Sequence, residues 1–246
     1  MNATMADPQR PQRLLSSQTD DRDPSQLHFY PGEKRLLFLV GIKVVLDIEA
    51  WGGPQMPLPR GPNEKFGPAP TTPGRFRIGS IGPYLTNTWG FSRLPWGVPI
   101  KDDPHNPKDL LYEANPGRWK SVYKKTGLSR NEVLGRHRDL KGPSADPPDR
   151  WIFNDFGPAA IRYYQDKNDN HVQDKNERLS GEMFHTTPEG EAGTGQTLGT
   201  SHGCIHLWPL DKATWFNAHA FEVGTLLVIH RYEDVSLVPR RSRVPR

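Results

Sequence analysis

The single cysteine of this 246-residue chain lies in Thr200-Ser201-His202-Gly203-Cys204-Ile205-His206, with a histidine two positions away on either side. A third histidine, His185, precedes it across a glycine-rich segment. A thiol is a strong nucleophile only as thiolate, and a neighbouring imidazole is the usual means of generating one near neutral pH. A cysteine kept for packing would sit in an apolar run, whereas this one follows Ser-His-Gly. The residue types leave three arrangements open. In the first, Cys204 is an acyl-accepting nucleophile, His185 or a neighbouring imidazole takes its proton, and backbone N–H groups near Gly203 hold the oxyanion. In the second, His185, His202, Cys204 and His206 supply four ligands to zinc or copper. In the third, the thiol is buried and inert among hydrogen-bonded histidines. As a strand, this segment would project His202, Cys204 and His206 to one face.

The elements that must position these residues read as mostly β. Pro and Gly number 25 and 23, and hydrophobic residues make up only 34%, which favours short strands and long loops over a helical bundle. The β-branched and leucine-rich run Arg35 to Ala50 predicts one long strand or a strand pair. Gly74-Arg75-Phe76-Arg77-Ile78 alternates polar and apolar, as a strand does, and follows a segment with seven prolines and five glycines over residues 51–74. Trp151 to Tyr164 is a second β-rich run, Gly181 to His185 a strand ending on the histidine, and Gly224 to His230 a closing strand. Ser129-Arg130-Asn131-Glu132 has the capping-box spacing, so a helix starts at Arg130 and stops before Gly142. Pro209 suits the first turn of a helix over roughly 209–220.

The segment Ser201-His202-Gly203-Cys204-Ile205, preceded by His185, resembles the signature of the L,D-transpeptidase (YkuD-type) family. Thr72-Pro73-Gly74-Arg75-Phe76 is similar to that family's Thr-Pro-x-Gly-x-Phe segment, one residue shorter. Asp211 to Trp215 resembles its helix after the cysteine, and Gly224 to Ile229 its last strand. The resemblance covers roughly residues 70–80 and 181–231. It implies a mostly-β domain of β-sandwich or barrel-like form with a few peripheral helices and a helical insertion. It also implies a cysteine acyltransferase acting on peptidoglycan stem peptides, with no cofactor required and acylation by carbapenems. By carry-over Cys204 attacks, His185 is the base, His202 polarises the site, and the backbone around Gly203, with Ser201, forms the oxyanion hole. His206 stands where Arg or Asn is usual, and Thr186 follows the histidine where Gly or Ser is usual. Both are candidate substrate contacts, and Trp89 and Trp96 either line a sugar- or peptide-binding groove or, as loop tryptophans more often do, cover a core edge. The resolving acceptor is a second stem's amine, giving a 3→3 cross-link, or water, or a free D-amino acid. Two alternatives stand beside this: a toxin-like carboxypeptidase or exchange enzyme delivered to a rival cell's envelope, and an inactive metal- or peptidoglycan-binding module.

Around this domain, residues 28–232, the sequence places a disordered polar tail over 1–27 and a basic tail over 233–246. Residues 101–150 read as an insertion, either a lid over the site or equally an ornament on the domain. A net charge of +4 and no Lys/Arg–aromatic interleaving along a face argue against nucleic acid. The best apolar run, Leu36 to Ile48, is broken by Lys43 and Asp47 and is too short to span a membrane. The first 27 residues are polar and carry no visible secretory signal, although the implied activity belongs in the cell envelope or periplasm. Finally, Asp166, Asn168, Asn170, Asp174 and Glu177 stand at positions 1, 3, 5, 9 and 12 of an EF-hand-like loop. That pattern suits a structural calcium, but His171 occupies the position normally held by glycine. A polar hairpin loop with Asx turns accounts for the same residues.

Overall fold

The computed structural model describes residues 22–61, 67–194, 199, 201–209 and 219–240. Among them, strands and α-helices follow in chain order: β1 (Ser25–Tyr30), β2 (Arg35–Val40), β3 (Lys43–Trp51), β4 (Gly74–Gly82), β5 (Ile100–Asp102), β6 (Leu110–Asn115), β7 (Arg118–Ser121), α1 (Val122–Thr126), α2 (Arg130–Lys141), β8 (Ala160–Tyr164), β9 (Leu179–His185), α3 (Pro188–Ala192), β10 (Ile205–Leu207) and β11 (Leu226–Ile229). The helix expected over 209–220 falls almost wholly outside the described residues.

Eight strands close a barrel in the order β1-β11-β4-β8-β9-β10-β3-β2. The Arg35–Ala50 run is a pair, β2 and β3, joined at Val40↔Lys43 through a turn in which Gly41 takes φ +56°. Inward side chains fill the barrel, among them Leu27, Phe29, Leu36, Phe38, Ile78, Tyr163, Phe184, Ile205 and Leu227. Pairing is antiparallel except for β1 with β11 and β9 with β10. Closure abolishes the exposed edges a flat sheet of these strands would leave.

β1 begins at Ser25, so the barrel takes in the last residues of the segment that reads as a polar tail. A buried guanidinium helps fix that start. Arg77 on β4 donates from Nη1 and Nη2 to the Asp23 carboxylate, at 2.7 and 3.0 Å, and from Nε to Asp166 at 2.8 Å. The fork geometry satisfies a charge that would otherwise be costly to bury. The other end is also held: Arg35 pairs with Asp47 and donates to the carbonyls of Val238 and Pro239, which holds part of the basic tail against β2.

The 101–150 region carries more than helices. Strands β5, β6 and β7 form a separate antiparallel sheet beside α1 and α2. The Ser129 capping box is present and α2 runs to Lys141, with Gly142 as its C-cap. This region has its own core of Leu94, Ile100, Leu110, Val122, Val133, Leu140, Trp151 and Phe153. Residues 151–159, which read as the opening of a strand, run irregularly beneath the insertion. Trp151 and Phe153 are consumed by that core, and β8 starts only at Ala160. Buried Asn154 fastens the junction, donating from Nδ2 to the carbonyls of Tyr84 and Leu94 at 3.0 and 2.9 Å.

Candidate active site

Strand register does the first part of the assembly. β9 and β10 lie side by side and parallel, pairing Phe184 with Ile205 and His185 with His206. Parallel neighbours need a crossover, and residues 186–204 supply it, with α3 inside. The connection returns the chain so that Cys204 arrives immediately before β10.

Cys204 is not in a strand, which corrects the one-face expectation. Gly203 sits at φ +101°, a conformation L side chains rarely adopt, so the chain turns sharply just before the thiol. In consequence His202 is exposed while Cys204 and His206 are buried. His202 instead makes an isolated parallel bridge to Ala69. Buried Ser201 closes the turn by donating from its hydroxyl to the Cys204 carbonyl. A Cβ on Gly203 would lie 2.8 Å from a Glu182 carboxylate oxygen, so the turn is pressed against that side chain. Glu182 is fixed in turn: it accepts from the Thr72 N–H, from the Thr72 hydroxyl at 2.7 Å and from the Tyr163 hydroxyl at 3.1 Å.

A cavity of about 440 Å³ opens at this turn, lined by Cys204, His185, His202, His206 and Ser201 together with Trp89, Phe156, Arg136, Asp155, Thr187, Pro188 and Glu189. The barrel, the 89–93 turn, the insertion and the β9–β10 crossover thus meet on one cleft. Phe156 walls it, edge-on to His185 at 5.0 Å and to Trp89 at 5.8 Å between ring centroids. His185 and His206 meet edge-to-face at 4.6 Å.

The His185 ring has a defined tautomer. Its Nδ1 lies 2.7 Å from the Thr186 carbonyl oxygen, which can only accept, so Nδ1 carries the proton and Nε2 is the ring's acceptor. Burial pushes this imidazole down to about 3, and neighbouring His206 adds to the shift; the Thr186 carbonyl opposes it. Burial likewise pushes the Cys204 thiol up to about 11, helped by the Glu182 charge and opposed by a backbone hydrogen bond from Met183. Both shifts disfavour the charged forms, so the resting pair is neutral thiol and neutral imidazole. An imidazole-generated thiolate near neutral pH is therefore not the resting state.

Two expected substrate contacts are placed elsewhere. Thr186 is buried and does not line the cleft; its carbonyl orients His185 and its hydroxyl donates to Glu191 at 2.6 Å. Trp96 is half-buried and also outside the lining, whereas Trp89 is part of it. Glu182, Asp155, Arg136 and Glu189 carry no recognisable motif, and sequence reasoning misses them. Only the tertiary fold brings Asp155, Arg136 and Glu189 to the cleft and Glu182 beside the thiol.

Of groups able to offer three or more ligand atoms within 4.8 Å, the described residues contain Asp166, Asp169 and His171. The four residues of the zinc or copper arrangement do not gather that closely. In the 166–177 loop the oxygens are turned toward internal donors. Asp166 receives Arg77 and the backbone N–H groups of Asn170 and His171, and Glu177 those of Lys167 and Asp174.

No protein-family profile matches the chain, and no curated protein matches it significantly. Solved structures do resemble it. One is an L,D-transpeptidase from Xylanimonas cellulosilytica, at 9% identity and a TM-score of 0.36 over 85% of this chain. L,D-transpeptidase 1 of Mycobacterium tuberculosis follows at 15%, 0.34 and 84%, and an L,D-transpeptidase from Mycobacterium smegmatis at 14%, 0.34 and 85%. The aligned part spans 61%, 62% and 59% of those chains respectively.

Proposed function

We propose that this chain is a cysteine acyltransferase of the L,D-transpeptidase type, acting on peptidoglycan stem peptides at the cell envelope. The observation that carries the reading is the meeting of Cys204, His185 and His202 in one cleft. There His185 is held by Thr186 in the tautomer that leaves Nε2 to accept a proton. The Cys204 sulfur attacks the carbonyl joining the third stem residue to its terminal D-amino acid. An S–C bond forms as the C–N bond breaks, and the thiol proton passes through His185 to the departing amine. Backbone N–H groups of the Ser201–Cys204 turn stabilise the oxyanion, and Gly203 keeps that turn open to the carbonyl. An acceptor amine or water then breaks the C–S bond, gives up a proton to His185, and returns the thiol. His202 and His206 border the reacting carbonyl, and Trp89 contacts the sugar or peptide. No cofactor enters these steps. No helix among the described residues is long and apolar enough to cross a membrane.

Incubation with disaccharide-tetrapeptides tests the reading, with Cys204→Ala in parallel. Cysteine-dependent dimers lacking one D-alanine report transpeptidation, and monomers lacking D-alanine report hydrolysis. A carbapenem should add one covalent mass to the wild type and none to Cys204→Ala. Equal products from both proteins would refute the assignment of Cys204.

A further inference from the structure

Among the described residues that line the cleft, Arg136 is the only lysine or arginine, and it comes from the insertion rather than from the barrel. It projects from the middle of α2, whose capping box and buried Val133, His137 and Leu140 hold the helix in place. Its side chain is one-quarter exposed, and its Nη2 donates to Glu189 Oε1 at 2.6 Å. Glu189 stands on α3, just after His185, and is itself nearly half exposed. A guanidinium offers five N–H donors in a planar fork suited to two carboxylate oxygens. Glu189 takes up one of them. Nearby Asp155 also feels the guanidinium's charge, but its Oδ2 accepts from the Ser92 hydroxyl at 2.6 Å, and burial pushes its carboxyl up. The cleft thus holds a cation hydrogen-bonded to one solvent-reachable carboxylate, in the same lining as the thiol.

We infer that Arg136 is the specificity-determining residue of this cleft: it binds the free α-carboxylate at the end of the donor peptide, and Glu189 holds its place until the donor arrives. The inference rests on the acyltransferase reading and extends it to the donor's terminus. A peptide ending in a carboxylate would lay that group on the guanidinium in fork geometry, with its last peptide carbonyl toward Cys204. A peptide ending in a carboxamide brings no charge and would have to leave the Arg136–Glu189 pair intact.

The test is the rate of Cys204 acylation, read by intact mass, with a disaccharide-tetrapeptide and with the same compound as its C-terminal carboxamide. Wild-type protein should prefer the carboxylate by about 100-fold, the range of a desolvated charge-assisted contact. Arg136→Met should slow the carboxylate donor far more than the carboxamide, bringing the ratio within about threefold; Arg136→Lys should restore part of it. Glu189→Gln removes the resting counter-ion and should lower the carboxylate donor's KM severalfold. That variant keeps the proposal testable should Arg136→Met fold poorly. A ratio unchanged in Arg136→Met, with both donors slowed equally, would reduce Arg136 to a structural role, and so would an unaltered KM in Glu189→Gln. No acylation of wild-type protein by either donor, with Cys204 still open to a small alkylating agent, would instead overturn the acyltransferase reading itself.

Discussion

The neutral resting state of Cys204 can be measured directly, because the chain has one cysteine and every alkylation event reports on it. Burial and the Glu182 charge move the thiol from its ordinary value of 9.0 to about 11. At pH 7.5 the thiolate fraction is therefore about 100-fold below that of an unperturbed cysteine, one decade for each pKa unit. A more basic thiolate is also more nucleophilic, by a Brønsted slope near 0.4–0.5, which returns roughly tenfold. The net expectation is iodoacetamide alkylation about tenfold slower than for an exposed cysteine, before any steric shielding. The slope with pH is diagnostic, because shielding scales every rate alike and leaves it untouched. The logarithm of the rate should climb one unit per pH unit through pH 9.5 and level only near 11. Glu182→Gln should move the curve to lower pH, since it removes the negative charge beside the sulfur. A plateau below pH 8, the mark of a thiolate–imidazolium pair, would refute the claim that burial governs this thiol.

Gly203→Ala should destabilise the protein by about 2 kcal/mol or more, since its φ of +101° is strained for alanine and the new Cβ would meet Glu182; urea unfolding reads this, and a wild-type midpoint would refute the strain at Gly203. Stability should also fall in acid. His185 and His28 are each pushed down to about 3 by burial, so below pH 6.5 the unfolded chain takes up protons that the folded one refuses. At pH 5 that difference amounts to about 2 kcal/mol for each histidine. Thermal unfolding at pH 7.5 and pH 5 checks it, and His28→Gln should remove part of the loss, leaving the shares of His185 and of His230, which burial also pushes down. Ser129→Ala deletes the α2 cap at about 1 kcal/mol, with the pH slope of Cys204 alkylation unchanged because the cap lies outside the cleft lining.

Local patterns carry much of the fold. The strand ending on His185, the closing strand β11, the β2–β3 pair and the Ser129 capping box each rest on a few adjacent residues whose preferences agree. Errors arise where tertiary demands override a local pattern. Trp151 to Phe153 look like strand but are spent on the insertion core. Ser25 to Leu27 look like tail but complete the barrel beside β11. The His-x-Cys-x-His alternation suggests one face, yet Gly203 at positive φ breaks the alternation, so His202 ends on the surface and Cys204 inside. For the cleft, the motif marks the cysteine and histidine by type and spacing. Thr186 serves through its backbone carbonyl, which no side-chain reading reveals. Arg136, Asp155, Glu182 and Glu189 are ordinary charged residues until the fold gathers them.

A buried neutral pair also constrains how the chemistry proceeds. With the thiol near 11 and the imidazole near 3, moving the proton between them in the empty cleft costs roughly 11 kcal/mol before the charges attract each other. The free thiolate is therefore a poor intermediate in this cleft. On the acyltransferase reading, sulfur attack and proton departure would advance together, as the carbonyl carbon takes up the sulfur's electron pair and the oxyanion reaches the turn's N–H groups. Such a thiol is slow toward stray electrophiles in solution and fast only toward a carbonyl held in place. On that reading, holding the carbonyl falls to the cleft lining, to which the insertion contributes Arg136 from α2. On the reading proposed above, α2 works with the thiol: it would supply the charge that seats the acyl donor beside a nucleophile that does little until the donor is seated.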